Sequence, residues 1–416
     1  MLYDVKDKVP FFKLLAFGFQ LLLSVFVATV LICQICGVSV SGGLFGAGLA
    51  TILYLIVTKF ESPMYISNSG AFVAPVLLAL AAGGYTAVAV GGLVTCIIYC
   101  LFGFLFTRIP VESIYKVFPK TLIGSVTMVI GINLMGFIST YVQIDGVVNM
   151  WGMSVAILTL VSIALFAHYS KGMLKTIPFL LGLLVGYCYA LILTLTGVYP
   201  IVNLSLFKGI SIFSAPDFAF LHWSASSFNI ISIIILYVAY TVSAMMEALS
   251  DHAALGNIIG VDLYSKPGLR NIFCGMGVAN LAGATFGGLG TCSYGEGVGC
   301  VGVSKVAAVR VTLTAALMMI FLSMFTPIQA FIASIPSCAF AGAAIILYGY
   351  IMNSGVKMLQ QVDLNNQKNL LLVSIVVSIG VSGLFIGSSD FSISGTALAL
   401  VVGVILNLLL KDSNNS

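Results

Sequence analysis

Residues 14–33, LLAFGFQLLLSVFVATVLIC, run without a single charge, and about 20 apolar residues are what an α-helix needs to cross the hydrocarbon core of a bilayer. Runs of this kind recur along the whole chain, with the charges gathered at the breaks between them. The every-second-residue alternation of a membrane β-barrel is missing from them. Only 7% of the 416 residues are charged and 60% are hydrophobic, at a mean hydropathy of +1.15. An average soluble domain carries about 25% charged residues. So little polar surface cannot cover a water-soluble globule, which excludes a cytosolic enzyme, a nucleic-acid binder and a disordered chain. What remains is an all-α polytopic membrane protein, because lipid obliges each spanning segment to satisfy its own backbone polar groups.

The net charge of +4 comes from basic residues in short loops rather than from a nucleic-acid-binding surface. The first apolar run begins near Pro10 with no small-residue cleavage site after it, so it reads as a first span and not as a signal peptide. The nine cysteines are scattered, mostly inside apolar runs. Cys33 and Cys36 form a CxxC with no partner pair, and read as small residues in helix contacts rather than as a metal or disulfide site.

Polar, Gly/Pro and charged breaks divide the chain into fourteen expected spans: 11–35, 42–58, 65–82, 84–107, 118–139, 151–168, 174–198, 228–252, 268–287, 292–304, 306–326, 328–352, 368–386 and 393–411. With the N-terminus inside, sixteen of the seventeen Lys and Arg residues fall in inside loops and only Lys208 outside. The positive-inside rule then puts both termini in the cytoplasm. The stretch 199–227 is the longest between spans, and is expected to lie along the outer interface. It joins two halves of seven spans, which an odd count sets in opposite orientations. Segments 65–82 and 292–304 are too polar and Gly-rich for ordinary lipid-facing helices, and Gly70 and Glu296 within them are 226 residues apart. Interrupted segments at matching places in two halves point to an inverted-repeat transporter and its site.

Ten of the thirteen acidic residues fall in loops or at span ends; Glu247, Asp251 and Glu296 do not. Each costs at least about 2.5–3.5 kcal/mol at a helix centre, and no Lys or Arg is expected at similar depth. Glu247 and Asp251 are four apart and share a helix face with small neighbours. Two nearby carboxylates in low dielectric share their protons as a pair. Asp251 is therefore expected to tune Glu247, the other reading being a backbone cap near the inner helix end. Glu296 lies in Tyr294-Gly295-Glu296-Gly297, expected as a short extended strand and then a half-helix from near Gly297. Its counterpart is Ser67-Asn68-Ser69-Gly70-Ala71-Phe72, with a half-helix near Pro75. Facing half-helix N-termini supply donors for carbonyl oxygens, and the carboxylates accept from ring N–H groups. That set suits a cyclic amide or imide such as a nucleobase and repels an inorganic anion.

SNSGAFVAPV (67–76), EALSDHAALGNIIG (247–260), SYGEGVG (293–299) and LYGYIMNSGVKML (347–359) resemble the nucleobase–ascorbate transporters, which include the bacterial uracil and xanthine permeases. The resemblance covers nearly the whole chain. It implies a core domain from 1–107 and 228–326, a gate domain from 108–198 and 327–411, and an outer connection at 199–227. It implies that Glu247 and Glu296 hold a base, that the Gly295 N–H meets a carbonyl, that Ala28 and Tyr294 line the pocket and that Tyr348 sits on the gate side. It further implies import by cation symport, with Asp251, Glu247 and Glu296 as coupling groups and H+ or Na+ as the ion. No cofactor or metal is expected. The implied location is the bacterial plasma membrane, and a homodimer is left open.

The chain departs from the family pattern in places. The usual Gln-His pair of span one reads Gln20-Leu21. The aromatic that stacks on the base in segment three is matched by Gly70, which is expected to widen the pocket and remove about 1 kcal/mol or more of stacking; Phe72 is the nearest aromatic. Asp251 resembles the purine branch and Glu296 the uracil branch, so uracil, a related pyrimidine and a purine such as xanthine all stay open. Three rivals remain: an anion transporter of the same architecture, a membrane-embedded enzyme, for which no HExxH or paired constellation occurs, and a pure channel or structural subunit. His168, His222 and His252 are isolated and expected at the interface.

Overall fold

Helices fill the chain because its apolar runs can satisfy their backbones in no other way inside a bilayer. The computed structural model describes residues 1–108, 116, 118–144, 147–225, 227–388 and 391–410. The first half holds α1 (Phe11–Cys36), α2 (Val40–Val57), strand β1 (Ile66–Asn68), α3 (Val73–Leu105), α4 (Lys120–Met135), the short α5 (Ile138–Val142), the hairpin β2 (Gln143–Ile144) and β3 (Val147–Val148), α6 (Met150–Tyr169) and α7 (Pro178–Leu195). The second holds α8 (Ile230–Ile259), α9 (Leu269–Ala282), β4 (Thr291–Ser293), α10 (Gly295–Ser304), α11 (Val309–Met324), α12 (Thr326–Ser334), α13 (Ser337–Leu359), α14 (Gln367–Val381), the hairpin β5 (Phe385–Ser388) and β6 (Phe391–Ser394), and α15 (Gly395–Leu409).

Local chemistry sets many of the boundaries. Ser39, Asn149, Asn229 and Asn366 each accept a hydrogen bond from a first-turn N–H of α2, α6, α8 and α14. Gly37 and Gly260 end α1 and α8 at φ 65° and 71°. Helix α3 is two spans in one: Gly83 (φ −156°) and Gly84 (φ 63°, ψ −154°) break it, and the Gly84 geometry is one that side chains avoid. With that break the fourteen expected segments are all in place, though two of them have bounds that shift by seven residues or more. The expected span 328–352 is α13 at 337–359, since Phe325-Thr326-Pro327 and Pro336 fence off the separate α12. The eighth span runs to Ile259 rather than 252, which leaves Asp251 inside the helix. The end of the last expected span, residue 411, lies outside the described residues.

The two halves interlock. Strands β1 and β4 pair antiparallel, Ile66 opposite Ser293, Ser67 opposite Cys292 and Asn68 opposite Thr291. The strands start at Ile66 and Thr291 and the turns after them at Gly70 and Gly295, so the structural repeat here is one residue shorter than the expected 226. Helix α3 packs on α8 and α9, α2 on α9 and α11, and α4 on α13 and α14. The 199–227 stretch closes over one end: Asp217 N–H donates to Ser41 Oγ (3.0 Å), and Ser214 N–H to the Met324 carbonyl (3.0 Å).

The N-terminal residues form a strap at the opposite end. Leu2 N–H donates to the Lys305 carbonyl (2.7 Å) and Val309 N–H to the Val5 carbonyl (3.0 Å). Glu61 Oε1 accepts from Lys6 Nζ at 3.3 Å and Lys266 Nζ at 3.4 Å. Its partial burial works upward on the carboxyl, but the hydrogen bonds and charges of the two lysines prevail and hold it below its ordinary 4.5. The latch contribution is then present above pH 4.5 and lost as pH falls through the lower folded-state value. Glu61→Gln is expected to speed amide exchange in residues 2–9 about two- to fivefold at pH 7, as befits a surface ion pair, with parent and variant converging once the pH falls below the lowered folded-state value. Equal exchange at pH 7 would show that the strap does not depend on Glu61.

Candidate substrate site

The β1–β4 crossing leaves two chain ends side by side. After Asn68, Ser69 accepts from Ala71 N–H (3.2 Å) and a short turn at Gly70–Phe72 leads into α3. After Ser293, Tyr294 opens α10, and its hydroxyl donates back across the crossing to the Asn68 carbonyl at 2.6 Å. The first N–H groups of α10 have no acceptor within their own helix, and Gly295, at its first position, lines a cavity of about 460 Å³. Ligand pockets for small molecules run about 300–1,000 Å³.

Four walls meet in this cavity. Helix α1 contributes Ala28 and Ile32; β1, β4 and the turns after them give Ser69, Gly70, Ser293, Tyr294, Gly295 and Glu296. Helix α8 contributes Glu247, Ser250 and Asp251, and α13 contributes Tyr350, Ile351, Asn353, Ser354 and Lys357. Because Lys357 is near the C-terminal end of α13 and Asp251 in the last third of α8, the cavity reaches toward the end of the molecule that carries the N-terminal strap. Asp251 Oδ2 accepts from Ser293 Oγ at 2.6 Å. Among the described residues, the Glu247 carboxylate accepts no hydrogen bond and that of Glu296 meets only its own backbone N–H. Both keep lone pairs for a ligand.

Of the residues singled out from sequence, Glu247, Asp251, Glu296, Gly295, Tyr294, Ala28 and Gly70 come together here. Phe72 and Tyr348 do not reach the wall. Phe72 is fully buried and its ring stacks on Tyr237 at 6.2 Å, because the turn after Gly70 aims it into the α3–α8 contact. Tyr348 is buried beside the wall residues Leu347, Tyr350 and Ile351 of its own helix. Gly70 does not widen the cavity either. A Cβ placed on it would lie 2.7 Å from Ile351 Cδ1, so the isoleucine of α13 fills the space expected to be open. His252 is not interfacial: it is wholly buried, with Nε2 2.6 Å from Tyr54 Oη and Nδ1 2.6 Å from the Ala248 carbonyl.

The α13 wall was the part missed in the sequence. With the twelfth span placed at 328–352, Lys357 fell in a loop, whereas it faces the same cavity as the three acids. Tyr350, Asn353, Ser354 and Lys357 fall at helical spacing on one face. That polar stripe, just beyond an apolar run, was the available signal.

The family model described as "Permease family", that of the xanthine and uracil permeases, matches residues 12–388. This chain belongs to that family. It is 32% identical to the uracil permease of Bacillus caldolyticus, over 98% of this chain and 94% of that protein. It is 30% identical to the uracil permease of Escherichia coli (strain K12), over 98% and 93%. Among solved structures it resembles the transmembrane domain of a cyanobacterium bicarbonate transporter, BicA (TM-score 0.65, 15% identity, 97% of this chain and 100% of that one). It also resembles the murine anion transporter Slc26a9 in its inward-facing state (TM-score 0.72, 11% identity, 97% and 69%). These likenesses carry the inverted-repeat fold, and the chain is an integral membrane permease built on it.

The Gly70–Ile351 contact yields a prediction. Gly70→Ala alone is expected to weaken ligand binding by about tenfold or more, as a close-packed site resists an added methyl group. Ile351→Ala added to it should restore most of the loss, measured as a double-mutant cycle. Strictly additive effects would show that the two residues do not meet in the working protein.

Proposed function

We propose that this permease carries a nucleobase, uracil or a related pyrimidine or a purine such as xanthine, into the cell by proton symport with alternating access. The observation that carries the reading is the pair of carboxylates, Glu247 and Glu296, with unused lone pairs in one cavity beside the N-terminus of α10. A base offers ring N–H donors to the carboxylates and a carbonyl acceptor to the Gly295 N–H. An inorganic anion would meet like charge on the α8 and α10 wall, which weighs against the anion rival. The likeness to bicarbonate and anion transporters concerns the backbone only.

In this reading 1–107 and 228–326 form a core that holds the base, and 108–198 and 327–411 a gate whose α13 closes over it. Tyr294 and Ala28 shape the core side. Asp251, held by Ser293, sets the proton occupancy of Glu247, and one proton entering with the base removes one of the two negative charges of that carboxylate pair. The positive-inside pattern assigns both termini to the cytoplasm and the cavity to the inward-facing side, in a bacterial plasma membrane. A homodimer is compatible with this arrangement.

Proteoliposomes test it. Radiolabelled uracil uptake is expected to rise with an inside-alkaline pH gradient, not with a sodium gradient, and unlabelled xanthine or uracil should compete according to the preferred base. No base-dependent uptake under any gradient would overturn the assignment. Glu247→Gln is expected to weaken base binding about ten- to a hundredfold, the worth of hydrogen bonds to a charged group, at unchanged thermal stability. Asp251→Asn should keep counterflow and lose pH-driven accumulation. Equal loss of both in a stable protein would place Asp251 in binding rather than coupling.

A further inference from the structure

A second cavity, of about 560 Å³, opens between α1, α11, the turn after α2 and the N-terminal strap. Its charged lining is cationic, Lys6, Lys59 and Arg310, with Thr314 as a further polar residue. Lys6 shares Glu61 with Lys266, whereas Lys59 and Arg310 form no ion pair among the described residues. Lys59 and Phe60 line it from consecutive positive-φ positions, 55° and 56°, which the Phe60 N–H bond to the Leu55 carbonyl (2.8 Å) helps to fix. The remaining walls are apolar, chiefly Leu14, Leu313 and Leu317.

The apolar part continues outside the cavity. Counting from Arg310, Leu313, Leu317 and Phe321 follow at +3, +7 and +11, one stripe of α11. Leu317 is 52% exposed and Phe321 54%. From Arg310 to Phe321 the helix rises about 16 Å, close to one leaflet of a hydrocarbon core about 30 Å thick. Two unpaired cations at one end of an apolar track one leaflet long match a molecule with an anionic head and an acyl tail.

We propose that this cavity is a binding site for an anionic phospholipid, with Lys59 and Arg310 on the headgroup phosphate and an acyl chain along Leu313, Leu317 and Phe321. A free phosphate would use only the cations and leave the track bare. A zwitterionic lipid brings its own ammonium to a cationic site. The seat touches the strap, the turn after α2 and α11 together. The proposal depends on the membrane location and not on the transported substrate.

Native mass spectrometry of the detergent-solubilised full chain tests it, with phosphatidylglycerol and phosphatidylcholine of identical chains and inorganic phosphate as probes. Retained phosphatidylglycerol is expected to exceed phosphatidylcholine, and millimolar phosphate should not displace it. The Lys59→Gln/Arg310→Gln double variant should lose about twenty-five-fold in phosphatidylglycerol retention, since each basic residue at a membrane surface is worth about a factor of five. Arg310→Lys should retain most of it. The control pair Lys171→Gln/Lys175→Gln removes the same charge from a loop outside the cavity and should change nothing. Equal retention of the two lipids, displacement by phosphate, or equal loss in the control pair would each overturn the proposal. Folding of every variant is read from its thermal melt, and Arg310→Lys keeps the test decisive if the double variant melts early.

Discussion

The antiparallel pairing of Ile66–Asn68 with Thr291–Ser293 is what allows two non-helical segments to exist within a membrane protein. An unpaired backbone N–H or C=O away from water is costly, so irregular backbone survives there only where the protein itself supplies partners. The supply is dense. Thr51 Oγ1 both accepts from the Ile66 N–H (3.1 Å) and donates to its carbonyl. Asn280 Nδ2 donates to the Thr291 carbonyl (2.8 Å), and Thr29 and Ser67 hydroxyls meet at 2.7 Å. These side chains come from α1, α2 and α9, so the crossing also staples those helices around it. Once it is fixed, the turns at Gly70 and Gly295 have no freedom, and the α10 N-terminus is delivered to the cavity ready-made.

The acids exploit that rigidity. Burying a carboxylate is unfavourable unless something offsets it, and here the offsets differ by residue. Asp251 is held by Ser293, on the crossing itself. Glu296 sits in the first turn of α10, where the helix dipole favours negative charge. Glu247 has neither, and is the carboxylate whose surroundings leave most for a ligand to supply. A site poised this way binds by relieving a local deficit, which favours a ligand that brings its own donors.

Most of the fold was legible in the sequence because lipid imposes a single rule, a helix or a break, and breaks announce themselves as SNSG, SYGEG or Gly83-Gly84. The acids were legible for the same reason: in an apolar run a Glu stands out. The losses share a physical origin. Phe325 to Pro336 is apolar enough to read as part of a span, so α12 merged with α13 and hid Lys357. Gly70 looked like a void because sequence shows the missing side chain and not the neighbour that fills its place; Ile351 is 281 positions away. His252 reads as terminal because α8 ends seven residues later than expected, and its contact with Tyr54 of α2 is a tertiary one that no local pattern encodes.

The repeat duplicates backbone and leaves the chemistry single. Helix α1 contains no Asp or Glu, and the 66–76 stretch contains none either, whereas their counterparts α8 and α10 carry all three intramembrane acids. The negative wall of the cavity is therefore confined to one side, with the small and neutral Ala28, Ser69 and Gly70 beside it and the Asn353, Ser354 and Lys357 stripe of α13 as the remaining wall. A ligand with donors along one edge and acceptors elsewhere has one favourable orientation in such a space. Lys357 adds an opposite charge: its ammonium and the three carboxylates line one cavity, and attraction between unlike charges grows as the medium between them becomes less polar. An empty cavity that narrows would draw Lys357 toward the acids, whereas a bound base would stand between them. The asymmetry of charge therefore distinguishes walls that the duplicated backbone alone would leave alike.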